Sequence, residues 1–185
     1  MTKILEKLNT AIAAGAVLAL IVLLVFHVKD VSAGVGYWGP FVTFLHVVVG
    51  VVWIGLLYYF NLVQIPTMPK IPAELKPGVG KFIAPEALFW FRWGAAATVL
   101  TGLIIIALTP NVVTNTLRVG VLLGLIMAFN VWFIIWPNQK KALGIVTVDD
   151  AAKAKAARVA MLTSRANFIL SVPMLYCMVT SRLVG

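Results

Sequence analysis

Charge is scarce in this chain, and so are the side chains that carry acid–base and metal chemistry. Of 185 residues only 11% are charged, 6 are carboxylates, 2 are histidines and 1 is a cysteine. A single cysteine, Cys177, excludes an intrachain disulfide and a cysteine zinc cluster, and the absence of a C-x-x-C-H segment excludes a covalently attached c-type haem. Cys177 lies in a terminal apolar run and reads as a small buried hydrophobe. No serine–histidine–acid set, phosphate-cradling glycine loop or metal-spaced cluster is present, and of the carboxylates only Glu86 lies near an apolar segment with polar company. Unaided acid–base catalysis is poorly supplied, so any chemistry is expected to rest on a cofactor. No internal repeat or pair of broken apolar segments points to a transporter.

What the chain has is apolar length. At 62% hydrophobic it exceeds the roughly half expected of a soluble domain, and it reads as one all-α integral membrane bundle over residues 1–185. Five segments are long enough to span: 11–28, 41–63, 86–108, 118–136 and 167–183. The first follows Lys3 and Lys7, and Val31-Ser32-Ala33 resembles a signal-peptidase site. Its apolar run exceeds the roughly 7–15 residues of a signal core, so an uncleaved helix is expected. A Gly-rich turn with Gly34, Gly36, Gly39 and Pro40 leads into the second span, with Tyr37 and Trp38 as interfacial aromatics. The stretch 66–85, broken by prolines and carrying Lys70, Lys76 and Lys81, reads as a loop. Thr109-Pro110-Asn111 stops the third span, and Pro137 to Lys141 ends the fourth. Residues 149–165 read as a soluble helix opened by Asp149 and Asp150, whose carboxylates suit a helix N-terminus, and Pro173 interrupts the last span.

The net charge of +9 does not point to nucleic acid, because no basic patch is interleaved with exposed aromatics on a soluble module. Lysines and arginines sit between the apolar segments, where they orient the chain and meet anionic headgroups. Eleven of the fifteen fall at the N-terminus, in 66–85 and in 137–166. Lys29, Arg118 and Arg182 lie on the opposite side, and Arg92 lies within a span. The positive-inside rule therefore puts the N-terminus in the cytoplasm and the C-terminus outside.

The second span carries the most chemistry. At 3.6 residues per turn His46, Gly50, Trp53, Leu57, Asn61 and Gln64 share one sector, a stripe for which lipid has no partner. His46 lies about 12 Å below Trp38 along the axis, and it either hydrogen-bonds a neighbour as a packing residue or binds a metal or haem. His27 reads as interfacial. A bis-histidine haem within one subunit would need both histidines, whose depths differ by about 10 Å, which leaves His46 with a methionine such as Met174 as another option. Arg92, flanked by Trp90 and Trp93, either snorkels to headgroups or anchors an anionic ligand or propionate with Glu86 nearby. Asn61, Gln64, Asn130, Asn138, Arg165, Asn167 and Ser171 all fall in the inner half of the bilayer or at its edge. Each could be interhelical glue worth about 0.6 kcal/mol, but their shared depth is better explained by a polar pocket. Met174 and Met178 share a stripe with Asn167 and Ser171, and such a methionine stripe is more often packing than ligation.

Four stretches resemble a known family. HVVVGVVWIGLLYYFNLVQIP (His46 to Pro66), EALFWFRWG (Glu86 to Gly94), NVWFIIWPNQK (Asn130 to Lys140) and RANFILSVPMLYCMVTS (Arg165 to Ser181) are similar, in that order, to the membrane domain of bacterial urate hydroxylases, the urate oxidase N-terminal family. The His-x6-Trp-x-Gly piece also faintly resembles small haem b membrane proteins such as protoporphyrinogen oxidases. The first resemblance implies a bacterial inner-membrane enzyme that oxidises urate to 5-hydroxyisourate and passes electrons to cytochrome c. Long members carry a C-terminal cytochrome c domain and more histidine, including one where this chain has Ser164-Arg165-Ala166-Asn167. Electrons are therefore expected to go to a separate cytochrome or respiratory complex. On this reading His46, Trp53, Arg92 and Met174 are the candidates to hold a haem b, with His46 its metal ligand. Asn61, Gln64, Glu86, Asn130 and Asn167 are the candidates to hold substrate, and no residue is singled out as catalytic. The other reading is a non-catalytic accessory subunit or a homo-oligomer, motivated by the close-packing spacing of Gly120 and Gly124.

Overall fold

The computed structural model describes residues 5–32 and 37–181. Lys3, Ala33, Gly34, Gly36, Arg182 and the last two residues of the expected fifth span lie outside the described residues. The described chain is helical apart from short turns and has no strand, and it contains five helices long and apolar enough to cross a membrane. They are α1 (Leu8–Ser32), α2 (Trp38–Lys70), α3 (Lys76–Leu108), α4 (Asn115–Ala142) and α5 (Asp150–Thr180). Where one domain was expected, the chain divides into two compact units, one up to Phe41 and one from Val42 onward. α1 makes up most of the first unit. Within that unit the rings of His27 and Tyr37 lie 5.9 Å apart, and Tyr37 stacks on Phe41.

The second unit is a ring of four antiparallel helices. α2 meets α3 through Trp53 against Gly94 and Phe60 against Phe91. α3 meets α4 through Trp93 against Trp132, α4 meets α5 through Gly120 against Cys177, and α5 returns to α2 through Phe168 against Tyr58. The core runs down the middle and contains Trp53, Leu57, Phe60, Leu88, Phe91, Met127, Val131, Ile135 and Met174. Gly94 and Gly120 set how closely the helices approach. A Cβ at Gly94 would stand 3.2 Å from the Trp53 backbone nitrogen, and one at Gly120 would stand 2.9 Å from the Cys177 Cβ. Gly124, in contrast, has nothing within 4 Å. Half of the expected small-residue pair is thus spent on packing within this chain.

The prolines behave differently from the breaks expected of them. Residues 66–70 continue α2 and 76–85 open α3, so α2 and α3 reach 33 residues each and only a short turn separates them. Three turns of π-helix accompany this: Tyr59–Gln64, Val79–Ile83 and Asn130–Ile135. Each is followed, one residue on, by a proline: Pro66, Pro85 and Pro137. A helical proline has no N–H and its ring collides with the carbonyl four residues back. Opening the turn by one residue relieves the collision. The residue before each proline accordingly donates its N–H five residues back, Ile65 to Phe60, Ala84 to Val79 and Trp136 to Val131. α4 therefore passes Pro137 and stops at Gly144, whose φ of +76° closes a Schellman cap with Ile145 N–H on the Lys140 carbonyl at 2.9 Å.

α5 also corrects the segmentation. The soluble helix expected over 149–165 and the span expected over 167–183 form one helix from Asp150 to Thr180. Asp149 caps its start, accepting from the Ala152 N–H at 2.7 Å, and Pro173 lies inside it without ending it. The basic residues of its first turns hid this continuity, because they lower the hydropathy of a helix that is long enough to leave the apolar zone.

Candidate binding site

The three opened turns lie at one end of the four-helix unit, where α2 and α4 finish and α3 and α5 begin. There a partly open cavity of about 150 Å³ is lined by all four helices. Gln64 comes from α2, Phe91 from α3, Gln139 from α4, and Met161 and Ser164 from α5. Small residues on α5, Ala157 and Ala160, leave the space that these side chains surround. A π turn re-aims the residues it contains, and two of them carry amides to this level: Asn61 and Gln64 in the first, Asn130 in the third.

The polar groups pair across helices just above the cavity. Asn61 Nδ2 donates to Ser164 Oγ at 3.0 Å and to its own helix at the Leu57 carbonyl, 2.9 Å away. Asn130 Nδ2 donates to Asn167 Oδ1 at 2.8 Å, and Asn167 Nδ2 donates to the Met127 carbonyl at 2.9 Å. Asn167 is completely buried, so this pair replaces water on both its polar ends. Ser171 Oγ lies 3.3 Å from the Tyr58 hydroxyl and donates to Phe168. Two buried oxygens are left over: among the described residues Asn61 Oδ1 and Gln64 Oε1 have no donor. Exchanging the ends of the Asn61 amide would forfeit its bond to the Leu57 carbonyl. The cavity lining contains no titratable side chain, so the site can bind and orient a molecule but brings no acid or base of its own.

The remaining sequence candidates are placed elsewhere. Glu86 is exposed and accepts from Trp90 Nε1 at 3.1 Å, one turn along its own helix. Arg92 stacks on Trp136, its guanidinium carbon 3.4 Å from the ring centroid. Met174 packs in the central core. Trp53 is buried with its Nε1 unpartnered. His46 is half-buried on the other half of α2, about 27 Å from Gln64 along the axis. Its Nδ1 lies 3.0 Å from Thr101 Oγ1, and Thr101 spends its own hydroxyl proton on the Ala97 carbonyl at 2.7 Å. The bond therefore needs a proton on Nδ1, which leaves the Nε2 lone pair unused. Gly102 makes room for the ring, since a Cβ there would stand 3.1 Å from His46 Cε1. Ser164, Gln139 and Thr101 escaped attention as partners in the sequence. Ser164 and Gln139 lie at the depth already suspected of a polar pocket, but Thr101 carries no such signal.

Residues 112–183 match the model of the urate oxidase N-terminal family. The match covers less than half of the chain, takes in the whole of α4 and α5, and contains the resembling stretches Asn130 to Lys140 and Arg165 to Ser181. The stretches beginning at His46 and Glu86 fall outside it. No curated protein and no solved structure matches the chain. Within the urate oxidase N-terminal match lie the α4 and α5 walls of the cavity, including Gln139, Met161 and Ser164, and the Asn130–Asn167 pair. Among the described residues no group of three metal-ligating side chains comes together.

Proposed function

We propose that this protein is a membrane-embedded redox protein of the urate hydroxylase type, and that its cavity binds a small planar molecule rich in N–H donors, urate or a relative of it. The observation that carries the reading is a pair of buried amide oxygens on α2 without a donor among the described residues: Gln64 Oε1, whose residue lines the cavity, and Asn61 Oδ1, three residues before it. Buried acceptors of this kind are costly unless a partner arrives, and a ring bearing N–H groups supplies it. Phe60 and Phe91 offer apolar faces beside them. A space of about 150 Å³ takes a single ring, and the flexible side chain of Met161 is the lining group best able to give way to a second. The family match on α4 and α5 supports the choice of urate.

The reaction the family resemblance implies converts urate and water into 5-hydroxyisourate, two protons and two electrons, the electrons passing to a separate cytochrome. Of the four residues considered for haem, Met174 is packed in the core, so a haem would take one ligand, Nε2 of His46, from this chain. Such a haem would supply one-electron transfer. Trp53, Arg92 and Met174 do not gather round it: Arg92 is stacked on Trp136 and Met174 is in the core.

Calorimetric titration of the purified protein with urate tests the binding step, with Gln64→Leu as the control. Saturable binding that the substitution removes is the expected result, and no binding by folded wild-type protein would overturn the assignment. A reduced-minus-oxidised visible spectrum tests the redox step separately. The expected haem b band disappears in His46→Ala, and a flat spectrum after expression with ample haem would reject haem.

A further inference from the structure

We infer that Arg92 and Lys140 together form a binding site for a phosphate group, that of an anionic lipid headgroup. Neither residue lines the cavity. Arg92 on α3 lies flat on the Trp136 ring, at 3.4 Å, and Lys140 on α4 reaches the same ring at 5.7 Å. Two cations, one from α3 and one from α4, thus contact the same indole.

Their hydrogen-bonding capacity is unspent. Among the described residues neither Arg92 nor Lys140 forms an ion pair, and the guanidinium, with five N–H groups, makes only the ring contact. The carboxylate nearest in sequence, Glu86, is engaged by Trp90 Nε1. Stacking fixes the plane of the guanidinium and leaves its edge open, the arrangement that suits bidentate capture of phosphate. The level is also right for a headgroup. Trp90 and Trp93 are exposed beside Arg92, Trp132 packs on Trp93, and such an aromatic belt marks the membrane–water boundary. Basic pockets between helices at that boundary hold anionic lipids.

The test uses the full chain in mild detergent, titrated with phosphatidylglycerol, with phosphatidylcholine and with inorganic phosphate, and bound ligand is read by native mass spectrometry. Retention of phosphatidylglycerol over phosphatidylcholine by about five-fold, falling toward parity in Arg92→Gln and in Lys140→Gln, is the expected result. Binding of inorganic phosphate with the same dependence on both residues, without a lipid preference, upholds the anion site and makes a free phosphate its ligand. Equal retention of both lipids with no phosphate bound overturns the proposal, and so does a preference that survives both substitutions. Lys140 is not among the core residues, so Lys140→Gln decides the matter if Arg92→Gln fails to fold.

Discussion

The two halves of α2 carry similar cargo and treat it differently. At one end His46 is met by Thr101 and fitted against Gly102, so the polar group is partnered and the helices are in contact. At the other, Asn61 and Gln64 hold buried oxygens that nothing in the described chain satisfies, beside a cavity four helices wide. A single stripe on one helix is therefore a packing seam at one end and, on the function proposed above, a receptor at the other. What divides them is backbone: the His46 half is regular α-helix, whereas the Asn61 half lies in a π turn opened by Pro66.

The largest expected effect breaks the seam. Gly94→Leu puts a side chain where even a Cβ meets the Trp53 backbone at 3.2 Å, and backbone cannot step aside as a side chain can. A loss of about 3 kcal/mol in unfolding free energy is expected in detergent, at the upper end for overpacking. Gly124→Leu, where nothing lies within 4 Å, is expected to leave monomer stability unchanged. Equal losses at the two glycines would show that the helices do not meet as described.

Next in size is the layer between the halves. Asn167→Ala removes both the acceptor of Asn130 and the donor to the Met127 carbonyl at a fully buried position. Hydrogen bonds between membrane helices average about 0.6 and reach about 1.7 kcal/mol, so the pair of bonds is expected to cost about 1.5 kcal/mol. The same substitution at Asn138, whose Nδ2 donates only to the Ile134 carbonyl of its own helix, is expected to cost less than half of that.

Much of this comparison was legible in the amino-acid sequence, and the part that was not has physical reasons. Apolar length marks five helices, and helical periodicity alone collects His46, Trp53, Asn61 and Gln64 on one face. The depth shared by Asn61, Asn130, Asn167 and Ser171 already suggests a polar layer, and the structure brings Asn130 to Asn167 and Asn61 to Ser164. Periodicity says which residues share a face but not which neighbouring face they meet, so Thr101 is not recognisable as the partner of His46. Prolines read as breaks, yet Pro66, Pro85 and Pro137 are absorbed into longer helices by π turns, because a helix that opens by one residue avoids the collision without ending. The charge of 149–165 reads as a separate soluble helix, since hydropathy reports the surroundings of a helix rather than its continuity.

Smaller, and more diagnostic, is the same polar-to-apolar change made at each end. His46→Leu leaves Thr101 without its donor and vacates the ring's place beside Gly102, and is expected to cost about 1 kcal/mol. Gln64→Leu removes an oxygen that has no donor, so it is expected to leave stability unchanged or raise it slightly while abolishing ligand binding. A stability loss at Gln64 as large as at His46 would mean that its amide has a permanent partner, and the receptor reading of the lower half would fail.

The smallest expected effect lies at the midpoint, where Trp53 separates the seam from the cavity. Its ring is 2% exposed, packed against the Gly94 turn, and its Nε1–H is buried without an acceptor. Trp53→Phe gives up part of the ring volume, which costs stability, and removes an unsatisfied donor, which returns some. The two terms oppose each other at similar size, and unfolding free energy is expected to move by no more than about 0.5 kcal/mol. A loss well above 2 kcal/mol would reveal that the indole N–H is bonded in the working protein, to water or to a bound group. The polar stripe would then run unbroken from Gln64 to His46, and the two halves of α2 would be one connected site rather than a seam and a receptor.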